Sequence, residues 1–121
     1  MKKVTLTLIA LLGFTAMMAQ TIVPTTPMNR NVVLEEYTGI NCVNCPDGHR
    51  IANLIKAANP TRVNLINIHV GSFATPLTGQ PDYRTQWGNA LAGQTGLTGY
   101  PSGTINRQIF SGSVTALNRG S

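Results

Sequence analysis

The stretch VVLEEYTGINCVNC, residues 32–45, decides the fold of this 121-residue chain. Its first seven residues are β-branched, aliphatic or aromatic at odd and even positions alike, apart from two adjacent glutamates. This pattern is typical of a strand covered on both faces. Gly39 bounds this strand, and the stretch ends with Cys42 and Cys45, the only cysteines of the chain. A strand that leads directly into a C-x-x-C pair is therefore the centre of the predicted structure.

An amphipathic helix is predicted after this strand, over residues 42–58. Its apolar side chains recur with the helical spacing i, i+3, i+4 and i+7; they are Ile51, Leu54, Ile55 and Ala58. Asn41 is the predicted N-cap, and the Asn-Pro pair at residues 59–60 ends the helix. Pro46 either lies in the first turn, where its missing N–H is harmless, or kinks the helix just after Cys45.

The rest of the chain continues the alternation of strands and helices. Residues 63–70 (VNLINIHV) predict a second strand. A second helix follows, with Asp82 as its cap and with Tyr83 and Trp87 as core residues. Residues 104–110 predict a third strand. This order implies an α/β fold in which the first two strands run parallel and helices cover the sheet.

The N-terminal residues indicate an exported protein. Residues 1–19 begin with two lysines, continue with an apolar run and end in an alanine, which is typical of a secretory signal peptide. The apolar run is too short and too often interrupted to span a membrane, so no transmembrane span is predicted in the mature chain. Residues 20–30 are rich in proline and threonine and are interpreted as a linker. Residues 31–121 then form one domain.

The charge pattern argues against nucleic-acid binding. Apart from the two lysines of the predicted signal peptide, the chain has seven basic residues and four acidic ones, and the basic residues are scattered singly. A nucleic-acid-binding face needs clustered lysines and arginines. No cofactor is assigned to the chain.

The C-x-x-C pair predicts thiol–disulfide chemistry because of its place in the fold. A thiol at a helix N-terminus faces unpaired N–H groups and the positive end of the helix dipole, which lower a cysteine pKa from about 8.5 to roughly 3.5–7.5. Cys42 is then the attacking thiolate, and Cys45 is the resolving thiol that releases the product from a mixed disulfide. One alternative is a purely structural disulfide, although so short a loop contributes only about 2 kcal/mol.

A metal site is a second alternative. Cys42, Cys45 and His49 are spaced i, i+3 and i+7 on one face of the predicted helix. His69 completes a Cys₂His₂ set, which uses every cysteine and histidine of the chain. The sequence has no second C-x-x-C and no H-x-x-x-H pair, which argues against this alternative.

The order of a strand, a C-x-x-C pair at a helix start and then Gly-Tyr-Pro (99–101) before a further strand resembles the thioredoxin fold. The resemblance implies that Pro101 is cis and faces the cysteines, and that the backbone of Tyr100 pairs with an incoming peptide. A trans proline in a surface turn is the alternative. The resemblance also implies a buried acid six residues before the first cysteine. Glu36 has that position, either as the proton acceptor for Cys45 or as a solvated edge residue.

Four segments are similar to the outer-membrane-protein-28-related family of bacterial envelope proteins: VVLEEYTGINCVNCPDGH (32–49), INIHVGSFATP (66–76), DYR (82–84) and TGYPSGTINR (98–107). This resemblance implies a thioredoxin-like, three-layer α/β/α sandwich. It also implies an exported protein of the periplasm or outer membrane whose partners are protein thiols or disulfides of the cell envelope. The chain departs from true thioredoxins at Asn41, where they have Trp, and at Val43 and Asn44, where they have Gly-Pro.

The thioredoxin-like domain is expected to be incomplete at its C-terminus. After the third strand, that fold needs an antiparallel fourth strand and a closing helix, or roughly 20 residues. Residues 111–121 are too few for both. The third strand is therefore expected to form an exposed sheet edge, and the mature chain is expected to be only marginally stable.

Overall fold

The computed structural model describes residues 26–120 of the chain. The predicted signal peptide, residues 1–19, lies outside the described residues, as do residues 20–25 of the predicted linker. The remainder of that linker, residues 26–30, is exposed and contains no helix or strand. No helix within residues 26–120 is long and apolar enough to cross a membrane.

The described part of the chain is a mixed α/β structure with two α-helices and one four-stranded sheet. Its elements are β1 (Val32–Thr38), α1 (Cys45–Ala58), β2 (Val63–His69), a 3₁₀ turn (Ser72–Ala74), α2 (Gln86–Gly93), β3 (Ser102–Ile105) and β4 (Leu117–Asn118). The strand order across the sheet is β2-β1-β3-β4. The predicted α/β class is confirmed, as are the positions of β1 and β2 and the end of α1.

β1 lies in the interior of the sheet because both of its edges are paired. It runs parallel to β2 over all seven residues, beginning with Val32 opposite Val63. On its other side β1 is antiparallel to β3, with Leu34 opposite Ile105. β4 is antiparallel to β3. The parallel pairing that the strand–helix–strand order predicted is therefore confirmed.

Both faces of β1 are covered, and each has its own apolar cluster. On the side of α1, Leu34 packs with Ala52 of the helix and with Val63 of β2. On the other side, Tyr37 packs with Ile68 next to α2. Burial on both faces is the reason for the nearly continuous apolar pattern of β1.

α1 begins three residues later than predicted. Its N-cap position is Asn44, and Pro46 lies in the first turn, which is one of the two predicted alternatives. Asn41, the predicted N-cap, instead donates its side-chain N–H to a backbone carbonyl of the loop after β2. Cys42 therefore lies in the loop before the helix, and Cys45 is the first helical residue.

α2 also begins later than predicted, and its aromatic residues are not core residues. Thr85 is the N-cap, and its Oγ1 accepts the N–H of Gly88 at 2.9 Å, whereas Asp82 binds the arginine two residues after it. Trp87 is 71% exposed, and Tyr83 is exposed as well. The physical reason is Gly88, where an added Cβ would lie 3.0 Å from an isoleucine methyl of β2. The helix approaches the sheet through this glycine, and Trp87 faces outward.

The third strand is shorter than predicted, covering Ser102–Ile105 instead of residues 104–110. Asn106 and Arg107 each have a φ of 50°, and this left-handed conformation ends the strand. The expected exposed edge is also partly covered, because β4 pairs with the first two residues of β3.

Candidate active site at the Cys42–Cys45 disulfide

The two cysteines form the predicted disulfide, which lies at the N-terminus of α1. Backbone hydrogen bonds shape the turn that carries it. The N–H of Cys42 donates to the carbonyl of Gly39 at 3.1 Å, and the N–H of Cys45 donates to the carbonyl of Cys42 at 3.3 Å. The disulfide therefore closes a turn that is already hydrogen-bonded, and the positive end of the helix dipole lies directly beside it.

The two cysteine residues differ slightly in their exposure to solvent. Cys45 is 1% exposed and Cys42 is 8% exposed, whereas Val43 between them is 91% exposed. A reagent from solution therefore meets Cys42 more readily than Cys45. This difference favours Cys42 as the cysteine that reacts directly with a substrate, in either direction of the exchange. Cys45 is then the resolving cysteine.

The cysteine turn is anchored to the loop after β2, a feature that the sequence did not predict. The backbone N–H of Asn41 donates to the carbonyl of Phe73 at 2.9 Å. The side chains of Asn41 and Gln80 exchange two amide hydrogen bonds of 3.1 and 3.2 Å. The backbone of Gly39 also packs directly against this loop, because a Cβ added to Gly39 would overlap the carbonyl carbon of Phe73. Asn41 and Gln80 are 39 residues apart, so no local pattern signals their contact.

Pro101 lies against the first turns of α1, and the Tyr100–Pro101 peptide bond is cis, as the resemblance implied. A Cβ added to Gly48, one turn after Cys45, would lie 2.7 Å from two ring carbons of Pro101. Asn44, which lies between the two cysteines in the chain, lines the same cleft as Tyr100 and Pro101. The cysteine turn and Pro101 therefore share one cleft.

The side chain of Tyr100 connects the loop that carries Tyr100 and Pro101, called the proline loop, to the end of β2. Its ring meets the ring of Phe73 edge to face, with centroids 5.9 Å apart. Its hydroxyl lies beside Gly71, where an added Cβ would come within 2.2 Å of Oη. Burial raises the pKa of the Tyr100 hydroxyl, so it stays protonated at neutral pH. The ring therefore packs the loop, and Tyr100 also lines the cleft.

Glu36 is buried beneath α1, so the alternative of a solvated edge residue is wrong. Its Oε2 lies 2.8 Å from Nδ1 of His49, and Nε2 of His49 lies 3.3 Å from Oγ1 of Thr38. Its Oε1 has no hydrogen-bond partner among the described residues. A Cβ added to Gly48 would lie 2.9 Å from that oxygen. Because Pro101 contacts the same glycine, the carboxylate, the proline and the helix meet at one place.

The adjacent Glu35 points to the opposite face of the sheet and has a different partner. Its carboxylate accepts hydrogen bonds from Nε of Arg107 at 2.9 Å and from Oγ1 of Thr104 at 2.8 Å. The hydrogen bonds from Arg107 lower the pKa of Glu35, although burial opposes this effect. The two glutamates that interrupt the apolar pattern are therefore both paired, on opposite faces of β1.

The arrangement does not favour the metal alternative. The cysteines are joined to each other, and His49 is bonded to Glu36. Across residues 26–120, no group of three or more His, Cys, Asp or Glu side chains is placed to hold a metal ion. His69 packs on Tyr83, with ring centroids 5.1 Å apart. Burial lowers the pKa of His69, and the nearby charge of His49 contributes to the same shift.

Comparisons with protein-family models, with curated proteins and with solved structures found no match for this chain. The resemblance to the outer-membrane-protein-28-related family therefore remains a prediction from the sequence. Among the predicted site residues, Cys45, Glu36 and Pro101 surround the first turns of α1, and Cys42 lies in the adjoining loop. The sequence predicts His49 only as a ligand of the alternative metal site. Its position four residues after Cys45, on the same helix face, was the available signal for a site role.

Proposed function

We propose that this chain is an exported, thioredoxin-like protein of the cell envelope that exchanges disulfides with protein thiols through Cys42 and Cys45. Membership of the outer-membrane-protein-28-related family is part of this proposal. The observation that supports it most strongly is the grouping of the disulfide, the buried Glu36 and Pro101 around the N-terminal turns of one helix. A disulfide that serves only as a cross-link requires neither a buried carboxylate nor a cleft beside it.

The proposed reaction starts from the disulfide as the oxidant. A substrate thiolate attacks Sγ of Cys42, which forms a mixed disulfide and breaks the bond to Cys45. Sγ of Cys45 leaves as a thiolate and takes up a proton. A second substrate thiolate then attacks the substrate sulfur of the mixed disulfide and releases Cys42. The substrate loses two electrons and gains a disulfide, and the chain gains two electrons as two thiols. Reduction of a substrate disulfide is the reverse sequence.

The surroundings of the sulfurs suit these steps. The N-terminus of α1 stabilises negative charge on the sulfur of Cys42, which makes this cysteine a good leaving group. Glu36 supplies a buried carboxylate next to the helix that begins with Cys45, and we assign it the exchange of a proton with that sulfur. His49 is partly exposed and hydrogen-bonded to Glu36, so it connects this carboxylate with solvent.

Substrate docking is assigned to the cleft between the cysteine turn and the proline loop. Asn44 and Pro101 line this cleft. The backbone of Tyr100, directly before the proline, is the proposed partner for an extended peptide. A substrate cysteine held there lies next to Asn44, the residue directly before Cys45.

The low exposure of both cysteines supports a second candidate function. In that case the chain is a surface or interaction protein, and the Cys42–Cys45 disulfide stays closed as a structural cross-link. The two functions make different demands on the stability of the disulfide, which can be measured.

The reduction potential of the full chain, equilibrated against glutathione buffers, distinguishes the two functions. A value between about −270 and −120 mV supports an exchanging disulfide, because characterised dithiol oxidoreductases have potentials in this interval. A value below about −300 mV supports the structural cross-link. A Cys42→Ser/Cys45→Ser double variant, which has no disulfide, is the control for signals from other parts of the chain.

A further inference from the structure

Cys42 and Cys45 are held in place by different parts of the fold. Cys45 is the first residue of α1, so the hydrogen bonds of a 14-residue helix fix its position. Cys42 lies in the turn before the helix, outside any helix or strand. Asn41, directly before Cys42, connects this turn to the loop after β2. The position of the Cys42 sulfur therefore depends in part on the contacts of Asn41.

The side chain of Gln80 holds Asn41 from the far end of that loop. Nδ2 of Asn41 donates to Oε1 of Gln80 at 3.1 Å, and Nε2 of Gln80 donates to Oδ1 of Asn41 at 3.2 Å. Each amide is also fixed by a backbone group. Oε1 of Gln80 accepts the N–H of Leu77 at 2.9 Å. Nδ2 of Asn41 donates to the carbonyl of Thr75 at 2.8 Å. Asn41 and Gln80, both half-buried, therefore form one oriented amide clamp.

The amide clamp acts on the disulfide through the freedom of Cys42. Closing the bond between Cys42 and Cys45 confines the turn, and the conformational freedom lost in that step costs free energy. A clamp that already confines the turn in the dithiol form reduces this cost, because it raises the effective concentration of one thiol at the other. The coupling is reciprocal, so the closed disulfide stabilises the clamp by the same factor.

We infer that Gln80 is a positioning residue for the disulfide. Through its pair with Asn41 it stabilises the oxidised turn, and it thereby lowers the reduction potential of Cys42 and Cys45. As part of an exchange reaction this role rests on the proposed function, because a lower potential makes the chain a weaker oxidant. The stabilisation of the disulfide itself applies equally to a structural cross-link.

The test is the redox equilibrium of the full chain with glutathione. Two glutathione thiols lose two electrons and two protons and become one glutathione disulfide, while Cys42 and Cys45 become thiols. Gln80→Met keeps the length of the side chain but removes both amide bonds. We expect its equilibrium constant for reduction to rise about fivefold, which raises the potential by about 20 mV. Gln108→Met is the matched control, because Gln108 is an exposed glutamine after β3, and its equilibrium constant should stay within about twofold of the wild-type value.

A double variant shows whether Asn41 and Gln80 act as a pair. Asn41→Ala should raise the potential at least as much as Gln80→Met, because it loses the same two bonds. Adding Gln80→Met to Asn41→Ala should then change the potential no further, because the connection between Gln80 and the cysteine turn is already broken. A shift in the double variant that equals the sum of the two single shifts overturns the inference.

The potential separates positioning from a general loss of stability. A substitution that destabilises the oxidised and reduced chains equally leaves the potential unchanged. Circular dichroism checks that each variant is folded, and Asn41→Ala decides the question in the same way if Gln80→Met is not. An equilibrium constant for Gln80→Met within about twofold of the wild-type value, or below it, overturns the inference. A wild-type potential in the range of structural cross-links contradicts the proposed function alone, and the shift in the variants still decides the role of Gln80.

Discussion

Oε2 of Glu36 lies 2.8 Å from Nδ1 of His49, so a buried carboxylate of β1 and a partly exposed imidazole of α1 form a pair. The pair lies beneath the helix that begins at Cys45. A buried carboxylate without a partner is costly, so this contact stabilises the packing of α1 on the sheet. It also holds the carboxylate beside Gly48, one turn after Cys45.

Replacing His49 with Ala leaves the buried carboxylate of Glu36 without its hydrogen bond. We expect the free energy of unfolding to fall by about 2 kcal/mol, measured by urea denaturation of the oxidised chain. Arg50→Ala is the control, because Arg50 is the next residue of the helix and its partner Asp47 is exposed to solvent. A loss for His49→Ala no larger than that for Arg50→Ala contradicts a stabilising role of the pair.

Glu36→Gln retains the shape of the side chain but removes its ability to exchange a proton. If Glu36 serves Cys45, the rate of reduction of the disulfide by dithiothreitol should fall by about 10²-fold. Asp47→Asn, which neutralises an exposed carboxylate in the first turn of α1, should leave this rate nearly unchanged. A rate for Glu36→Gln within a factor of about two of the wild-type rate refutes the assigned role.

The two cysteines have different predicted roles, and single serine variants separate them. Cys42→Ser should abolish the turnover of insulin disulfides, because the nucleophile is lost. Cys45→Ser should accumulate a mixed disulfide at Cys42, because the resolving thiol is lost. Turbidity follows the turnover, and mass spectrometry of the intact protein detects the trapped adduct. Val43→Ala is the control. Unchanged turnover in Cys42→Ser excludes the proposed reaction.

Gly48 permits the close contact between α1, Pro101 and Glu36. In Gly48→Ala the new Cβ would lie 2.7 Å from ring carbons of Pro101, so the helix or the proline loop must shift. We expect a loss of about 2 kcal/mol in thermal or urea unfolding, typical of overpacking. Gly93→Ala, at the end of α2, adds a methyl group with nothing within 4 Å and should not destabilise the chain. Equal stability of the two variants contradicts the contact.

The ion pair of Glu35 with Arg107 predicts a specific loss of stability in acid. Because Arg107 lowers the pKa of Glu35 in the folded chain, the folded state binds this proton less readily than the unfolded state. The stabilisation is complete above the ordinary glutamate pKa of about 4.3 and disappears as the pH falls through the lower, folded value. In Arg107→Met, urea midpoints should depend less on pH in this acidic interval. Arg50→Met is the control, and a pH dependence identical to that of the wild type contradicts the prediction.

Elements whose signals are local could be predicted from the sequence. β1 and β2 follow from short apolar segments bounded by Gly, Asn and Pro, and the Asn-Pro pair correctly predicts the end of α1. The start of α2 and the orientation of Trp87 could not be predicted in this way. Apolar spacing identifies a helical face, but the close approach of Gly88 to β2 determines which face meets the sheet.

The sequence by itself determined the strand–helix–strand order, the position of the cysteine pair at a helix start and the candidate residues Glu36 and Pro101. Only the tertiary structure decided that Glu36 is buried against His49, that Glu35 binds an arginine 72 positions away and that β2 forms one edge of the sheet. The physical reason is distance along the chain. Side-chain periodicity and turn residues act over a few positions, whereas burial and charge pairing depend on which segments meet after folding.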